Sequence, residues 1–561
     1  MSLTHPGANS DALRSGATRV AIKTDAQNIE WWRGAVIYQI YPRSFLDTND
    51  DGIGDLNGVV EGLDHIASIG VDGVWLSPFF TSPMQDYGYD VADFCDVDPI
   101  FGALEDFDRI IEKAHSLGLR VIIDQVYSHT SDQHPWFVES RQSKTNSKAD
   151  WYVWADPKAD GAPPNNWQSV FGGGAWTWDS RRQQYYFHNF LTSQPDLNVH
   201  NEEVQNAILD VTRFWLDRGV DGFRLDALNF CMHDEKLRDN PPAQQDGRIL
   251  TRPFDYQEHK FNQSHENIPA FLERIRAVTN EYDAIFTVAE VGGPTPLAEM
   301  KAFTADDKRL DSAYNFSFLY AEKISRNLVK EALGDWEGAP GEGWPSWAFS
   351  NHDAPRAVSR WAHEEDRRQA ADLYALLLLC LRGNVFLFQG EELGLPQAHV
   401  PFESLKDPEA ITNWPLTLGR DGARTPLPWR AEEKNAGFSD ATPWLPVDPQ
   451  HTTLAIDRQN ADNASTLNAV RAWIAMRNNH AALRLGDLEF LDFEDTSLLA
   501  FLRRHENQTA LCVFNLSETD CALQIEDFDQ FNCVASANAE YKNALPSVIS
   551  RLSGFVAIEN R

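Results

Sequence analysis

The chain has 561 residues, a length that favours one large barrel with added modules or about two to four domains. Its formal net charge of −34 argues against nucleic acid and anionic membranes as partners, because both would repel it, and suits a neutral or cationic ligand. No stretch approaches the roughly 18 consecutive apolar residues of a membrane span, so none is predicted.

The start of the chain and the cysteines point to one compartment. Residues 1–30 are polar and lack the apolar core of an export signal, so we interpret them as a flexible extension of a cytoplasmic protein. The cysteines are scattered without paired spacing, which favours reduced core residues over disulfides or a zinc site. They are Cys95, Cys231, Cys380, Cys512, Cys521 and Cys533.

An acidic loop follows the first predicted strand, residues 35–41. Oxygen-bearing side chains stand at alternate positions, and Gly52 stands where a tight turn is needed, which is the spacing of a calcium loop. Gly58 replaces the closing Glu and no paired helices flank the loop, so an EF-hand is not expected. We predict one structural Ca²⁺ or Mg²⁺, with a metal-free acidic turn as the alternative, and no organic cofactor. The candidate ligands are Asp47, Asn49, Asp51, the Ile53 carbonyl and Asp55.

Beyond this loop the chain alternates between helices that end in glycine and short apolar strands. The predicted strands are 35–41, 71–78, 119–126, 219–226, 284–291, 311–316, 347–353 and 384–389. Parallel strands with helical crossovers close into a (β/α)₈ TIM barrel at this number, and a doubly wound sheet with insertions is the alternative.

The alternation lapses twice. The first lapse, rich in aromatic, proline and glycine residues, predicts an inserted domain at 130–199, after the third strand. The second predicts a C-terminal antiparallel β domain at 486–561. Residues 31–129 and 200–485 would then form the barrel.

Polar motifs follow four predicted barrel strands. Gly222–Ala227 places Arg224 and Asp226 on the same side of a strand end, where a guanidinium could hold a nucleophilic carboxylate ionised. A structural ion pair is the alternative reading of this motif alone. Asp124–His129, Thr287–Glu290 and Phe349–Asp353 end three other strands, so acids, imidazoles and an arginine should converge on one barrel mouth.

In this order, the four motifs resemble those of the α-amylase family of retaining glycoside hydrolases (family 13), and more closely its oligo-1,6-glucosidase and α-glucosidase branch. The resemblance covers about residues 31–561. It implies a barrel with an inserted domain after strand three and a C-terminal β-sandwich, and it implies an enzyme that cleaves small oligosaccharides or disaccharides.

The resemblance also implies roles for the acids. Asp226 corresponds to the nucleophile, Glu290 to the general acid/base and Asp353 to the carboxylate that holds the sugar 2- and 3-hydroxyls. Such an enzyme needs one ionised and one protonated carboxyl. We expect Arg224 to keep Asp226 ionised, and burial with neighbouring carboxylates to hold Glu290 partly protonated.

Further residues are implied to bind the sugar. In the exo-acting branch, Asp86 and Tyr89 would hold the terminal glucose, and Arg420 would pair with Asp86 to close the pocket. The remaining candidates are the hydrogen-bond donors His129, His352 and Arg224 and the pocket aromatics Phe171 and Phe190.

The residues after the nucleophile bear on specificity. Endo-acting amylases tend to carry Lys-His where this chain has Asn229 and Phe230, which argues against cleavage within starch chains. Branch members that prefer α-1,6 bonds resemble one another in carrying Val at the position of Ala227, so Ala predicts α-1,4 or sucrose-type bonds.

The sequence therefore predicts an exo-acting retaining α-glucosidase, monomeric or homodimeric, with its balance of hydrolysis and glucosyl transfer left open. An oligo-1,6-glucosidase and a sucrose hydrolase or isomerase are the alternatives. A non-catalytic transporter subunit of the same family is disfavoured, because all three acids are present and a membrane span is not.

Overall fold

The computed structural model describes residues 30–244, 250, 252–293, 295–334, 336, 343–415, 419–493, 497–523, 530–541 and 545–559. The predicted extension, apart from Glu30, lies outside them. Among the helices of this described part, none is long and apolar enough to cross a membrane.

Eight parallel strands form a closed barrel, which confirms the predicted fold. Around the barrel the strands are ordered β1-β8-β7-β6-β5-β4-β3-β2. Most barrel residues are fully buried, because helices cover the outside and side chains fill the inside, so the strands read as continuous apolar runs. The strands are β1 Val36–Ile40, β2 Gly73–Leu76, β3 Arg120–Val126, β4 Gly222–Asp226, β5 Phe286–Val291, β6 Ser312–Asn315, β7 Trp344–Ala348 and β8 Asn384–Phe388.

The helices have apolar faces that pack on the barrel. In α1, for example, Val59, Leu63 and Ile66 are buried, and Gly70 ends the helix with φ of 92°, a left-handed conformation that glycine adopts without strain. The helices are α1 Leu56–Ile69, α2 Leu104–Ser116, α3 Pro135–Ser140, α4 Glu202–Asp217, α5 Ile268–Thr279, α6 Pro296–Phe303, α7 Arg326–Gly334, α8 Ala357–Trp361, α9 Arg367–Cys380, α10 Pro408–Asn413, α11 Pro449–Thr453, α12 Ile456–Ala461, α13 Thr466–Asn479 and α14 Ala481–Leu485.

The seventh strand was predicted at the wrong place. It spans Trp344–Ala348 rather than residues 347–353. The Asn351 side chain accepts hydrogen bonds from the backbone N–H groups of Asp353 and Ala354, and this turn takes the chain out of the sheet. Asp353 therefore lies in a loop beyond the strand.

Two smaller β modules accompany the barrel. Between β3 and β4, Trp154–Ala155, Trp176–Asp179 and Gln184–Phe187 form a three-stranded antiparallel sheet. After α14, a five-stranded antiparallel sheet has the order β9-β10-β11-β13-β12, and it shares an apolar core with the pair Cys521–Ala522 and Val548–Ile549. Its strands are β9 Asp487–Leu491, β10 Leu498–His505, β11 Gln508–Asn515, β12 Phe531–Ala537 and β13 Ser553–Glu559. Phe80–Thr81 and Asp93–Val97 form a further pair.

Candidate active site

One buried guanidinium joins three carboxylates at the carboxyl ends of neighbouring strands. Nη1 of Arg224, on β4, lies 2.5 Å from Oδ1 of Asp226 and 2.8 Å from Oδ1 of Asp124, on β3. Its Nη2 lies 2.5 Å from Oε1 of Glu290, on β5. Asp226 and Glu290 are therefore held against opposite nitrogens of one fully buried arginine.

Two further groups fix Glu290. The hydroxyl of Tyr314, on β6, donates to Oε1 of Glu290 at 3.0 Å and accepts from Nε and Nη2 of Arg224. The backbone N–H of Ala227 donates to Oε2 at 3.2 Å. Ala227 has φ of 41° and ψ of 41°, so the chain makes a sharp left-handed turn directly after Asp226.

The charge of the cluster is unbalanced. Burial raises the pKa of Asp226, Arg224 opposes that shift, and the Glu290 and Asp124 carboxylates add to it. Burial likewise raises the pKa of Asp124 to about 6. One guanidinium cannot neutralise three carboxylates, so the cluster favours retention of a proton. Arg224 contacts Glu290 as closely as it contacts Asp226, and the raised pKa of Asp226 runs against the expectation that Arg224 keeps that carboxylate ionised.

Asp353 lies in a different electrostatic setting. Its Oδ1 lies 2.6 Å from Nη2 of Arg424 and 3.4 Å from Nη1 of Arg420, and its Oδ2 lies 3.2 Å from Nε2 of His352. Burial acts to raise the pKa of Asp353, but His352 and the two arginines outweigh it and bring that pKa well below its usual range. Asp353 is therefore the firmly ionised carboxylate of the site.

A second ion-pair network closes one side of the site. Nη2 of Arg420 lies 3.0 Å from Oδ1 of Asp86 and 2.8 Å from Oδ1 of Asp407. Asp407 is fully buried and also accepts hydrogen bonds from the backbone N–H and Nε of Arg420. Gln194 donates to Oδ2 of Asp86 at 3.1 Å. The network thus ties the loop after β2 to the long segment after β8.

Rings line the same region. Tyr89 stacks on His352 with ring centroids 5.4 Å apart, and its hydroxyl donates to Asp124 at 3.1 Å. Burial lowers the pKa of His352 to about 3 and that of His129 to about 4, so both imidazoles are neutral at ordinary pH. The ring centroid of Phe190 lies 5.0 Å from that of His129.

Phe171 joins this wall from the segment between β3 and β4. Its ring lies 6.0 Å from that of Phe190 and 5.0 Å from the guanidinium carbon of Arg420. The structure therefore brings together every acid, imidazole, arginine and aromatic residue that the sequence nominated for chemistry or sugar binding.

The nominated metal residues lie elsewhere, ahead of α1. Asp55 is the N-cap of α1, and its carboxylate accepts from Gly58 and Thr48. Asp47 accepts from backbone N–H groups within the loop and from the Ser439 hydroxyl. Within the described ranges, no group of three or more His, Cys, Asp or Glu side chains is arranged to hold a metal ion.

The donor chemistry of that loop still suits a hard cation. Asp47, Asn49, Asp51 and the Ile53 carbonyl offer only oxygen atoms, which Ca²⁺ and Mg²⁺ prefer. Asp51 uses only Oδ1, as acceptor from the Ile53 N–H. Asp47 and Asp55 fit less well than Asp51, because both oxygens of each of these two carboxylates already accept hydrogen bonds.

Sequence reasoning did not nominate five residues that hold the site together. Asp124 stands in the motif that ends the third strand and Arg424 follows Arg420 by four residues, so their charges were the available signal. Tyr314 lay in a predicted strand, and Gln194 and Asp407 lay outside any motif. The five are Asp124, Gln194, Tyr314, Asp407 and Arg424.

A buried pair of strand-end carboxyls with a third, ionised carboxylate beside it defines a glycoside hydrolase site. Residues 39–486 match the alpha amylase catalytic domain, and residues 488–541 match the maltogenic amylase C-terminal domain. The chain belongs to the α-amylase family of glycoside hydrolases.

Its relatives share most of its length. A probable alpha-glucosidase of Rhizobium meliloti (strain 1021) is 54% identical over 496 residues, covering 87% of this chain and 90% of that protein. An oligo-1,6-glucosidase of Heyndrickxia coagulans is 36% identical over 533 residues, covering 89% of this chain and 94% of that protein. The crystal structure of an α-glucosyl transfer enzyme superimposes with a TM-score of 0.89 at 48% identity, covering 94% of this chain and 99% of that one.

Proposed function

We propose that the protein is an exo-acting retaining α-glucosidase that removes terminal α-linked glucose from disaccharides and short oligosaccharides. The Asp86–Arg420 ion pair, with Asp353 on the same arginine, carries this proposal. It closes one end of the site beside the catalytic carboxyls. A site closed at that end accommodates one terminal sugar unit, whereas cleavage within a chain needs a cleft open at both ends.

The chemistry follows from the two carboxyls on Arg224. The Asp226 carboxylate attacks the anomeric carbon while the Glu290 carboxyl protonates the departing glycosidic oxygen, and a covalent glucosyl-enzyme forms. Glu290, now ionised, then takes a proton from water as the water oxygen attacks the same carbon and releases Asp226. Two inversions leave the α configuration. A sugar hydroxyl in place of water would give glucosyl transfer.

Asp353 supports both steps without forming a bond to the sugar. Its ionised form can accept hydrogen bonds from the 2- and 3-hydroxyls of glucose, and these bonds strengthen as positive charge develops on the ring. The neutral imidazoles of His129 and His352 can donate or accept without adding charge. Tyr89 offers a ring face for the same sugar.

For the linkage, we propose α-1,4 or sucrose-type bonds, on the argument that Ala227 leaves room for the leaving sugar. Cleavage of α-1,6 bonds is the second candidate, because the relative from Heyndrickxia coagulans is named an oligo-1,6-glucosidase. Product analysis on maltose, isomaltose, sucrose and maltotriose tests both, with Asp226→Asn as the inactive control. Faster hydrolysis of isomaltose than of maltose would contradict the α-1,4 proposal.

We also propose that the loop from Asp47 to Asp55 holds one structural Ca²⁺ or Mg²⁺ through Asp47, Asn49, Asp51 and the Ile53 carbonyl. In this role the cation stabilises a turn ahead of α1 and takes no part in the reaction. We propose a cytoplasmic location as well, supported by the six free cysteines, all of which lie in the described part of the chain. A monomer or homodimer is proposed from the sequence alone.

A further inference from the structure

Two long loops that start on opposite sides of the barrel meet above its mouth. In the strand order, β4 and β8 are four strands apart in either direction around the ring. Arg252 belongs to the loop after β4, and Glu409 belongs to the segment after β8. Nη1 of Arg252 lies 3.4 Å from Oε1 of Glu409. An ion pair between these two loops therefore spans the barrel mouth.

Each partner is anchored on its own side. Nε and Nη2 of Arg252 both donate to the Asp255 carboxylate at 3.0 Å. The backbone N–H of Glu409 donates to Oδ1 of Asp407 at 3.1 Å, and Asp407 in turn holds Arg420. The bridge is thus connected, residue by residue, to the network that positions Asp86 and Asp353.

The bridge is linked to Asp353 through Arg420, which lies 2.8 Å from Asp407 and 3.4 Å from Asp353. Burial raises the pKa of Glu409, with Asp407 and Asp353 adding to the shift and Arg252 and Arg420 opposing it, so all four charges lie close to it. Tyr320, after β6, lies close to both bridge residues and to Asp353. Tyr320 as a whole residue is 59% exposed, so it lies at the solvent-facing side of the site.

We propose that the Arg252–Glu409 ion pair bounds the leaving-sugar side of the pocket and limits substrate length. This inference rests on the proposed α-glucosidase activity. Because the Asp86–Arg420 pair closes the glucose end, a longer substrate must extend on the side of Glu290, the acid that protonates the leaving sugar, and the charges of Glu290, Arg252 and Glu409 all act on Tyr320. The side chains of Arg252 and Glu409 are 31% and 17% exposed, so they stand at the boundary between the site and solvent.

The strength of the bridge suits this role. A partly exposed ion pair contributes modestly and weakens with salt, so it can open for substrate exchange and still disfavour ligands that hold it open. Disaccharides would react with the bridge formed. Trisaccharides would react only after the Arg252–Glu409 ion pair is broken.

Arg252→Gln and Glu409→Gln test the inference, with the reversed pair R252E/E409R as a rescue variant. The matched control is Arg213→Gln, which breaks the exposed Arg213–Glu281 ion pair on the outside of the barrel, 2.9 Å in length. The readout is the ratio of kcat/KM for maltotriose to kcat/KM for maltose. Each single variant should raise it roughly two- to five-fold, the range of a partly exposed ion pair.

The reversed pair should return the ratio toward the wild-type value, and Arg213→Gln should leave it unchanged. Added salt should raise the wild-type ratio but not that of Glu409→Gln. Variants that hydrolyse maltose with an unchanged ratio, or a reversed pair that behaves like the singles, would overturn the inference and leave the proposed function standing. A wild-type protein that hydrolyses none of maltose, maltotriose, sucrose and isomaltose would refute the proposed function, and this inference with it.

Discussion

Replacing Asp407 by Asn should damage the pocket without touching a catalytic carboxyl. Asp407 is fully buried and accepts three hydrogen bonds from Arg420, at 2.7 Å from the backbone N–H, 3.1 Å from Nε and 2.8 Å from Nη2. Asparagine keeps the size and one acceptor oxygen, but it removes the charge and turns an amide donor toward the guanidinium.

The expected magnitude follows from what Arg420 retains. Removing one partner of a buried ion pair costs about 3–5 kcal/mol when the remaining charge is left alone. Here Asp86 at 3.0 Å and Asp353 at 3.4 Å stay as partners, so the loss should approach that of a charge-assisted hydrogen bond, about 1.5–3 kcal/mol. If this free energy is lost from the stabilisation of the transition state, kcat/KM falls roughly 10- to 150-fold.

The assay is hydrolysis of p-nitrophenyl α-glucoside, with urea unfolding of the same samples. Asp448→Asn is the matched control, because Asp448 also caps a short helix that begins with proline but lies away from Arg420. Asp448→Asn should keep near-wild-type kcat/KM. A properly folded Asp407→Asn enzyme with kcat/KM within two-fold of wild type would refute the reasoning that Asp407 orients Arg420.

Four other outcomes are expected. Glu290→Gln should lose most of its activity on maltose but form the glucosyl-enzyme from nitrophenyl glucoside at much of the wild-type rate, because that leaving group needs no proton. Equal losses on both substrates would argue against the acid role of Glu290. Ala227→Val should lower kcat/KM for maltose more than for isomaltose, by roughly 10- to 200-fold in the ratio, and an unchanged ratio would show that another loop sets linkage. Chelator and Asp51→Ala should each lower the melting temperature more than the initial rate, while Asp50→Ala should not; an unchanged melting curve with no metal by elemental analysis would leave only an acidic turn. Burial lowers the pKa of His451 to about 4 in the folded protein, whereas its pKa in the unfolded chain is about 6.5, so the stability that neutral His451 permits is present above pH 6.5 and is lost as pH falls toward 4. His451→Gln should therefore flatten the decline of melting temperature on acidification. A decline as steep as in wild type would contradict this.

The barrel was predictable because its signal is local and repeated. The join of a helix, a glycine and a short apolar strand occurs at Gly70, Gly118 and Gly219, and this pattern leaves few alternatives once about eight strands follow one another. The boundaries of β7 were not predictable in this way. The apolar run Trp347-Ala348-Phe349 suggests a strand that continues to the polar motif, whereas the strand ends at Ala348 and the Asn351 turn, a side-chain effect, leads the chain away from the sheet.

The catalytic acids could be nominated because each follows a strand, and parallel strands of a barrel end at one face. Their protonation could not be assigned from spacing. The sequence places Arg224 two residues from Asp226 but gives no sign that Glu290, 66 positions away, reaches the same guanidinium at 2.5 Å. That contact depends on the register of β4 and β5, which only the folded barrel fixes.

Asp407 was missed for a related reason. In the sequence it reads as an ordinary helix cap before Pro408, and it does cap α10. Its second role appears only in the folded chain, where Arg420, 13 residues further on, contacts the same carboxylate. Long loops after barrel strands carry specificity through such non-local contacts, so local patterns predict them least well.

The configuration of the first glucose released tests the central claim most directly. Proton NMR should follow maltose hydrolysis within seconds of mixing, before mutarotation equilibrates the anomers. Attack by Asp226 followed by attack of water predicts that the α-anomer appears first, and that Asp226→Asn releases neither anomer at a comparable rate. Initial release of β-glucose would show a single displacement and would contradict the assignment of Asp226 as nucleophile.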